Sequence, residues 1–281
     1  MNKLPGAIAL FLACIVSAQA EKIELVMPNK LMARAEFHQG SREKPAVLLL
    51  HGFLQTHEFP TIFQLMESLR GAGFTVLAPT LSLNVPARRQ SLACEAIHTH
   101  SIEGNSREID AWVKWLGRKQ PGGIALVGHS IGSLQLLAYL GGNPDPAVRK
   151  LIAVSIIESQ SPLTQKQRSR LVADLLTRVR QGDGSPLVQP VSFCKKLHAP
   201  PATLLSYLEW TPDRVLKRIE HLNLPVTFVM GSRDDRLGRG WIEKLGQTRA
   251  RLRVVEGANH FMDGEHEFDL HDLVQQELQG L

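Results

Sequence analysis

The 281-residue sequence predicts an α/β fold built on a mostly parallel eight-stranded sheet with helices on both faces. Three observations predict it. Residues 46–50, 74–78, 123–127, 151–157 and 226–230 are continuous apolar runs, the pattern of strands buried on both faces. Segments of helical period separate most of these runs, and strand alternating with helix implies right-handed crossovers in a doubly wound sandwich. Third, one strand passes into a helix through Gly128-His129-Ser130-Ile131-Gly132, a sharp turn that carries a hydroxyl.

The elements follow in order. Lys3, the apolar stretch 7–16 and Ala18-Gln19-Ala20 form a positive, apolar and small-residue sequence that reads as a cleavable signal peptide over residues 1–20, too short for a membrane span. A lipidation site at Cys14 is the weaker alternative, because Phe11 three residues before it is an unusual residue there. Residues 22–27 and 33–38 alternate apolar and polar positions, as an antiparallel, half-buried pair does. The run 46–50 leads into His51-Gly52-Phe53. A helix is expected over 59–70, with Ile62, Phe63, Leu65, Met66 and Leu69 repeating at helical spacing before Gly71. A second covers 106–116, a third follows Ser130 to Leu140, and the last begins near His266. A short strand over 251–255 completes the sheet.

Residues 158–223 break this rhythm, being too long for one crossover. They contain helical stretches at 165–181, 202–210 and 211–221, divided by Gly182-Asp183-Gly184-Ser185-Pro186. This reads as a helical cap insertion over the carboxyl ends of the strands, where open α/β sheets bind ligands. Domain organisation is therefore a leader (1–20) and one domain (21–281).

Apolar content of 43% and charged content of 21% describe a globular domain. Net charge falls from +5 to +4 with the loss of Lys3, and the excess is scattered, which argues against nucleic acid or a membrane surface as partner. A periplasmic or secreted location follows from the leader. Cys94 and Cys194 remain after cleavage, either as one disulfide or as two free thiols.

Ser130 needs a base to take its proton and an acid to orient that base. The strand at 226–230 is followed by Gly231-Ser232-Arg233-Asp234-Asp235, and the strand at 251–255 by Glu256-Gly257-Ala258-Asn259-His260. Three chemical groups thus fall just beyond strand ends, in the order Ser, Asp, His known for this elbow. On these motifs, with His51-Gly52-Phe53, the chain resembles the α/β-hydrolase superfamily over nearly all of its mature length. The resemblance implies a triad of Ser130, His260 and Asp234, with an oxyanion hole from the backbone N–H groups of Phe53 and Ile131. Asp235 adjoins Asp234 and Glu158 follows the sixth strand, so both are alternative acids; the spacing from Gly231 favours Asp234.

The remaining histidines have lesser roles. His98 and His100 have no third ligand at metal spacing and read as polar loop residues. His129 packs beside the nucleophile, and His51 supports the oxyanion loop. No metal or organic cofactor is expected. A serine at the elbow, where dehalogenases and epoxide hydrolases of the superfamily carry aspartate, implies acyl chemistry on a small-molecule ester or thioester. Acyl transfer on the same triad, or a non-catalytic binding protein of this fold, are the alternatives. Leu171, Val172, Leu175, Leu176, Leu204 and Leu205 either line an acyl pocket or pack as core.

Overall fold

The computed structural model describes residues 20–157 and 163–281. The leader expected over 1–20 thus lies outside the described residues but for Ala20, and so does Glu158. The first half contains β1 (Glu21–Val26), β2 (Met32–His38), β3 (Ala46–Leu50), α1 (Pro60–Gly71), β4 (Thr75–Thr80), α2 (Ile102–Lys119), β5 (Ile124–His129), α3 (Ile131–Leu140) and β6 (Val148–Val154). Then come α4 (Gln165–Arg180), β7 (Leu187–Val191), β8 (Cys194–Ala199), α5 (Pro201–Leu208) and α6 (Pro212–Glu220). The chain closes with β9 (Val226–Gly231), α7 (Trp241–Gly246), β10 (Arg251–Val255) and α8 (Glu267–Leu278).

Eight strands form one sheet in the order β1-β2-β4-β3-β5-β6-β9-β10. The first two pairings are antiparallel and the other five parallel. This is the α/β-hydrolase arrangement that the sequence motifs imply. The apolar runs are continuous because each strand feeds two cores. Val47 and Leu49 of β3 face the layer of α1 and α8, with Leu65, Met66, Leu270 and Val274. Leu48 and Leu50 face the opposite layer, with Trp112 of α2 and Leu134 and Leu137 of α3. Burying one such leucine stabilises the fold by about 2 kcal/mol.

The caps explain where the helices begin. Pro60 occupies the first turn of α1, where its missing N–H costs no hydrogen bond. Ser101 caps α2 by accepting the Gly104 N–H at 3.0 Å, so this helix starts four residues earlier than the apolar period indicated.

Within 158–223 the structure departs from an all-helical insertion. Residues 187–199 form an antiparallel hairpin, β7–β8, in which Val191 pairs with Cys194 across a two-residue turn of Ser192 and Phe193. Pro190 inside β7 and a turn without Asn-Gly hide this hairpin from a pattern reading. α4 packs on α5, whereas α6 packs on α3, where Arg218 donates to the Gly141 carbonyl at 3.0 Å. The insertion therefore divides into one group of α4, α5 and the hairpin and a helix, α6, of the core-flanking layer. α7 also has no counterpart in the sequence reading; its Trp241 indole N–H donates to Ile156 O at 2.8 Å.

Candidate active site

Ser130 joins β5 to α3 with φ 56° and ψ −122°, a conformation that costs a non-glycine residue about 1–3 kcal/mol. Its N–H donates to Val154 O at 2.8 Å, which ties the strained residue to β6. Two glycines make the bend possible. A Cβ on Gly128 would lie 2.7 Å from the Gly132 carbonyl carbon, and one on Gly132 would lie 2.5 Å from His51 O. The second approach is the important one, because it brings the start of α3 against the loop after β3.

β9 and β10 deliver the other two groups. His260 Nε2 lies 2.9 Å from Ser130 Oγ, and His260 Nδ1 lies 2.7 Å from Asp234 Oδ2. The Asp234 carboxylate is fully buried, and its second oxygen accepts the Arg236 N–H at 3.0 Å. With the acid on Nδ1, the ring presents Nε2 to the hydroxyl as acceptor. Asp235, by contrast, is exposed. The structure thus brings Ser130, His260 and Asp234 together and leaves Asp235 outside.

The loop after β3 packs against the start of α3, one residue beyond Ser130. Among the described residues no group accepts from the backbone N–H of Phe53 or of Ile131, and the latter opens α3, where N–H groups lack intrahelical partners. Leu54 has φ 59°, so the chain reverses sharply just after Phe53. The Phe53 ring is buried edge-on between Tyr207 of α5, at 5.5 Å between centroids, and Phe193 of the hairpin turn, at 5.6 Å. The hairpin is held in place by a disulfide between Cys94 and Cys194, whose Cα atoms are 5.5 Å apart. The His98 N–H also donates to His198 O at 2.8 Å, fastening β8 to the loop between β4 and α2. Arg236 lies over Phe261 at 4.6 Å and over Phe193 at 5.7 Å, linking the hairpin turn to the residue beside His260.

The other histidines are structural. His129 Nε2 donates to the His260 carbonyl at 2.9 Å, and burial, reinforced by the His260 charge, pushes its pKa down to about 3. His51 is likewise lowered to about 3, by burial and then by the Arg88 charge. His100 Nδ1 meets the Tyr207 hydroxyl at 3.0 Å, and His98 Nε2 donates to Ala93 O at 3.0 Å. Among the described residues the one trio compact enough for a cation is Glu36, His38 and Glu67. His38 Nε2 lies 2.8 Å from Glu36, and Glu67 pairs with Arg70 at 2.6 Å, so each of these groups has a protein partner. Of the apolar residues noted in the insertion, Leu175 and Leu204 are fully buried core, whereas Leu205 is partly exposed. Sequence reasoning missed Arg88, Phe193, Tyr207 and Arg236, which belong to no motif and meet the site only through the fold.

An elbow serine, a histidine–aspartate pair beyond the last two strands and a mostly parallel eight-stranded sheet define an α/β-hydrolase site. The chain belongs to the alpha/beta hydrolase family, whose pattern it matches over residues 47–270. No curated protein matches its sequence. Its fold is similar to that of Est1E from Butyrivibrio proteoclasticus, with a TM-score of 0.62 and 17% identity over 93% of this chain and 98% of that one. It is also similar to a monoacylglycerol lipase of Paleococcus ferrophilus (TM-score 0.62, 21% identity, 92% and 98% of the two chains). A thioesterase domain from the curacin biosynthetic pathway gives a TM-score of 0.57 at 19% identity over 92% and 99%.

Proposed function

We propose that this hydrolase is an exported, serine-dependent enzyme that cleaves carboxylic esters or thioesters through an acyl-enzyme on Ser130. The observation that carries the reading is the unbroken relay from Ser130 Oγ through His260 to Asp234, at 2.9 and 2.7 Å. In acylation, Ser130 Oγ attacks the carbonyl carbon while His260 Nε2 takes its proton. The buried Asp234 carboxylate stabilises the imidazolium, and the N–H groups of Phe53 and Ile131 hold the tetrahedral oxyanion. When the intermediate collapses, His260 returns the proton to the leaving alkoxide or thiolate. Water then attacks the acyl-enzyme with His260 as base, releasing the acid and restoring Ser130. None of these steps calls on a metal or organic cofactor.

The fold similarity to an esterase, a lipase and a thioesterase agrees with acyl chemistry without choosing the acyl group. The leader-like residues 1–20 and the Cys94–Cys194 disulfide support a periplasmic or secreted site of action. Fluorophosphonate labelling tests the chemistry: the wild-type protein is expected to label at Ser130 and Ser130→Ala not at all. Equal labelling of the two, or none of either, sinks the hydrolase mechanism. Fractionation of cells making the full chain, with N-terminal sequencing of the product, tests export.

A further inference from the structure

Arg88 lies in the loop between β4 and α2, outside every motif, yet only 4% of its surface is exposed. Its guanidinium spends its donors on the ends of two chain segments. Nε donates to Leu81 O at 2.9 Å, just beyond β4. Nη1 donates to Gln90 O at 2.9 Å and to Leu54 O at 3.3 Å, and Nη2 donates to Gln55 O at 2.7 Å. Leu54 and Gln55 form the reversal that follows Phe53. Nη2 also lies 3.4 Å from His51 Nε2, which accepts the Leu81 N–H at 3.1 Å. A ring nitrogen facing two donors carries no hydrogen, so the proton of neutral His51 resides on Nδ1. Nδ1 lies 2.8 Å from the Gly52 carbonyl and donates to it.

This last bond reaches the chemistry. The Gly52 carbonyl and the Phe53 N–H belong to one planar trans peptide, so fixing the carbonyl toward His51 aims the N–H in the opposite direction. Gly52 O also accepts the Gln55 N–H at 3.3 Å, and the Gly52 N–H donates to Gln55 Oε1 at 3.1 Å. The loop closes on itself, and Arg88 holds the open side. Resting on the serine-hydrolase reading, we propose that Arg88 is the positioning residue of the oxyanion hole. It fixes the Leu54–Gln55 reversal and the His51 tautomer, and through them the direction of the Phe53 N–H. A lysine keeps the charge but not the planar fork that spans four carbonyls, so it does not substitute.

The test compares Arg88→Lys and Arg88→Met with the wild type on p-nitrophenyl acetate, after thermal melts have shown which variants fold. Loss of one oxyanion donor costs about a hundredfold, so kcat is expected to fall by about tenfold to a hundredfold with KM within about twofold. The Ki of a trifluoromethyl ketone, whose adduct places an oxyanion in the hole, is expected to rise in the same proportion. Folded variants that keep kcat within about threefold overturn the proposal, as does a loss carried by KM with unchanged ketone affinity. If neither variant folds, 15N spectra of histidine-labelled wild-type protein at pH 7 decide: His51 is expected neutral with its proton on Nδ1, and a proton on Nε2 overturns the assignment. Failure of the parent reading is read separately, from wild-type protein that does not label at Ser130.

Discussion

At the residue scale, the two carboxylates after β9 differ in burial and not in chemistry. Asp234→Asn is expected to lower kcat by about 10³- to 10⁴-fold, because the amide stabilises neither the required tautomer nor the imidazolium. Asp235→Asn is expected to stay within about threefold, and steady-state kinetics on one ester separates the two. His51, His100 and His129 are each held neutral by burial, with pKa values of about 3. The unfolded chain protonates these rings below about 6.5 while the native one does not. Their contribution to stability is therefore complete above that pH and lost as pH falls from about 6.5 toward 3, at up to about 1.4 kcal/mol per pH unit each. Thermal melts between pH 7 and 4 should show Tm falling with pH, and His129→Gln should flatten that slope. Unchanged slopes would mean that His129 is charged in the native state. The triad was legible in the sequence because each member lies beside a strand end and a glycine motif. Arg88 was not, because an arginine in an irregular loop reads as solvated until the fold encloses it.

At the element scale, the hairpin β7–β8 decides what packs on the loop after β3. Its turn places Phe193 on Phe53, and its disulfide closes a span of 100 residues. A cross-link over such a span stabilises by about 2–4 kcal/mol. Cys94→Ser with Cys194→Ser should lower Tm accordingly and raise KM more than it lowers kcat; an unchanged KM would separate the hairpin from substrate binding. Leu205 of α5 is partly exposed, as are Leu171, Val172 and Leu176 of α4. Leu205→Ala is expected to shift the chain-length profile on p-nitrophenyl esters more than it alters acetyl ester turnover, and an unchanged profile removes α5 from the acyl pocket. Five strands of the main sheet were readable because burial on two faces leaves a run of apolar residues, and β1 and β2 because one half-buried face leaves an alternation. The hairpin was not, since its strands are half-exposed, one holds a proline, and its stability comes from a cysteine partner far away in sequence.

At the scale of the whole molecule, the chain's last helix is tied to β6, β9 and β10 through one carboxylate. Glu277 of α8 is 3% exposed and receives Lys150 Nζ and Thr227 Oγ1, both at 2.8 Å, with Arg251 at 3.2 Å and Arg253 at 3.1 Å. Burial raises its pKa, but the hydrogen bonds from Lys150, Thr227 and Arg251 outweigh burial and hold it at about 2. That stability is present above the ordinary glutamate range and is lost as pH falls toward 2. Glu277→Gln leaves Lys150 of β6, whose side chain is 12% exposed, short of its charged partner, while Arg251 and Arg253 of β10 stay open to solvent; it should cost about 1.5–3 kcal/mol, read from denaturant melts at pH 7, and a cost below about 0.5 kcal/mol would show the cluster to be solvated. The Cys94–Cys194 bond has a consequence for biogenesis. Cys194 leaves the ribosome after β5, α3 and β6, so every element that carries Ser130 has been synthesised before its partner thiol exists. Oxidation therefore fastens the hairpin to a loop made a hundred residues earlier, and a reduced pair marks a copy whose hairpin is not yet tied down.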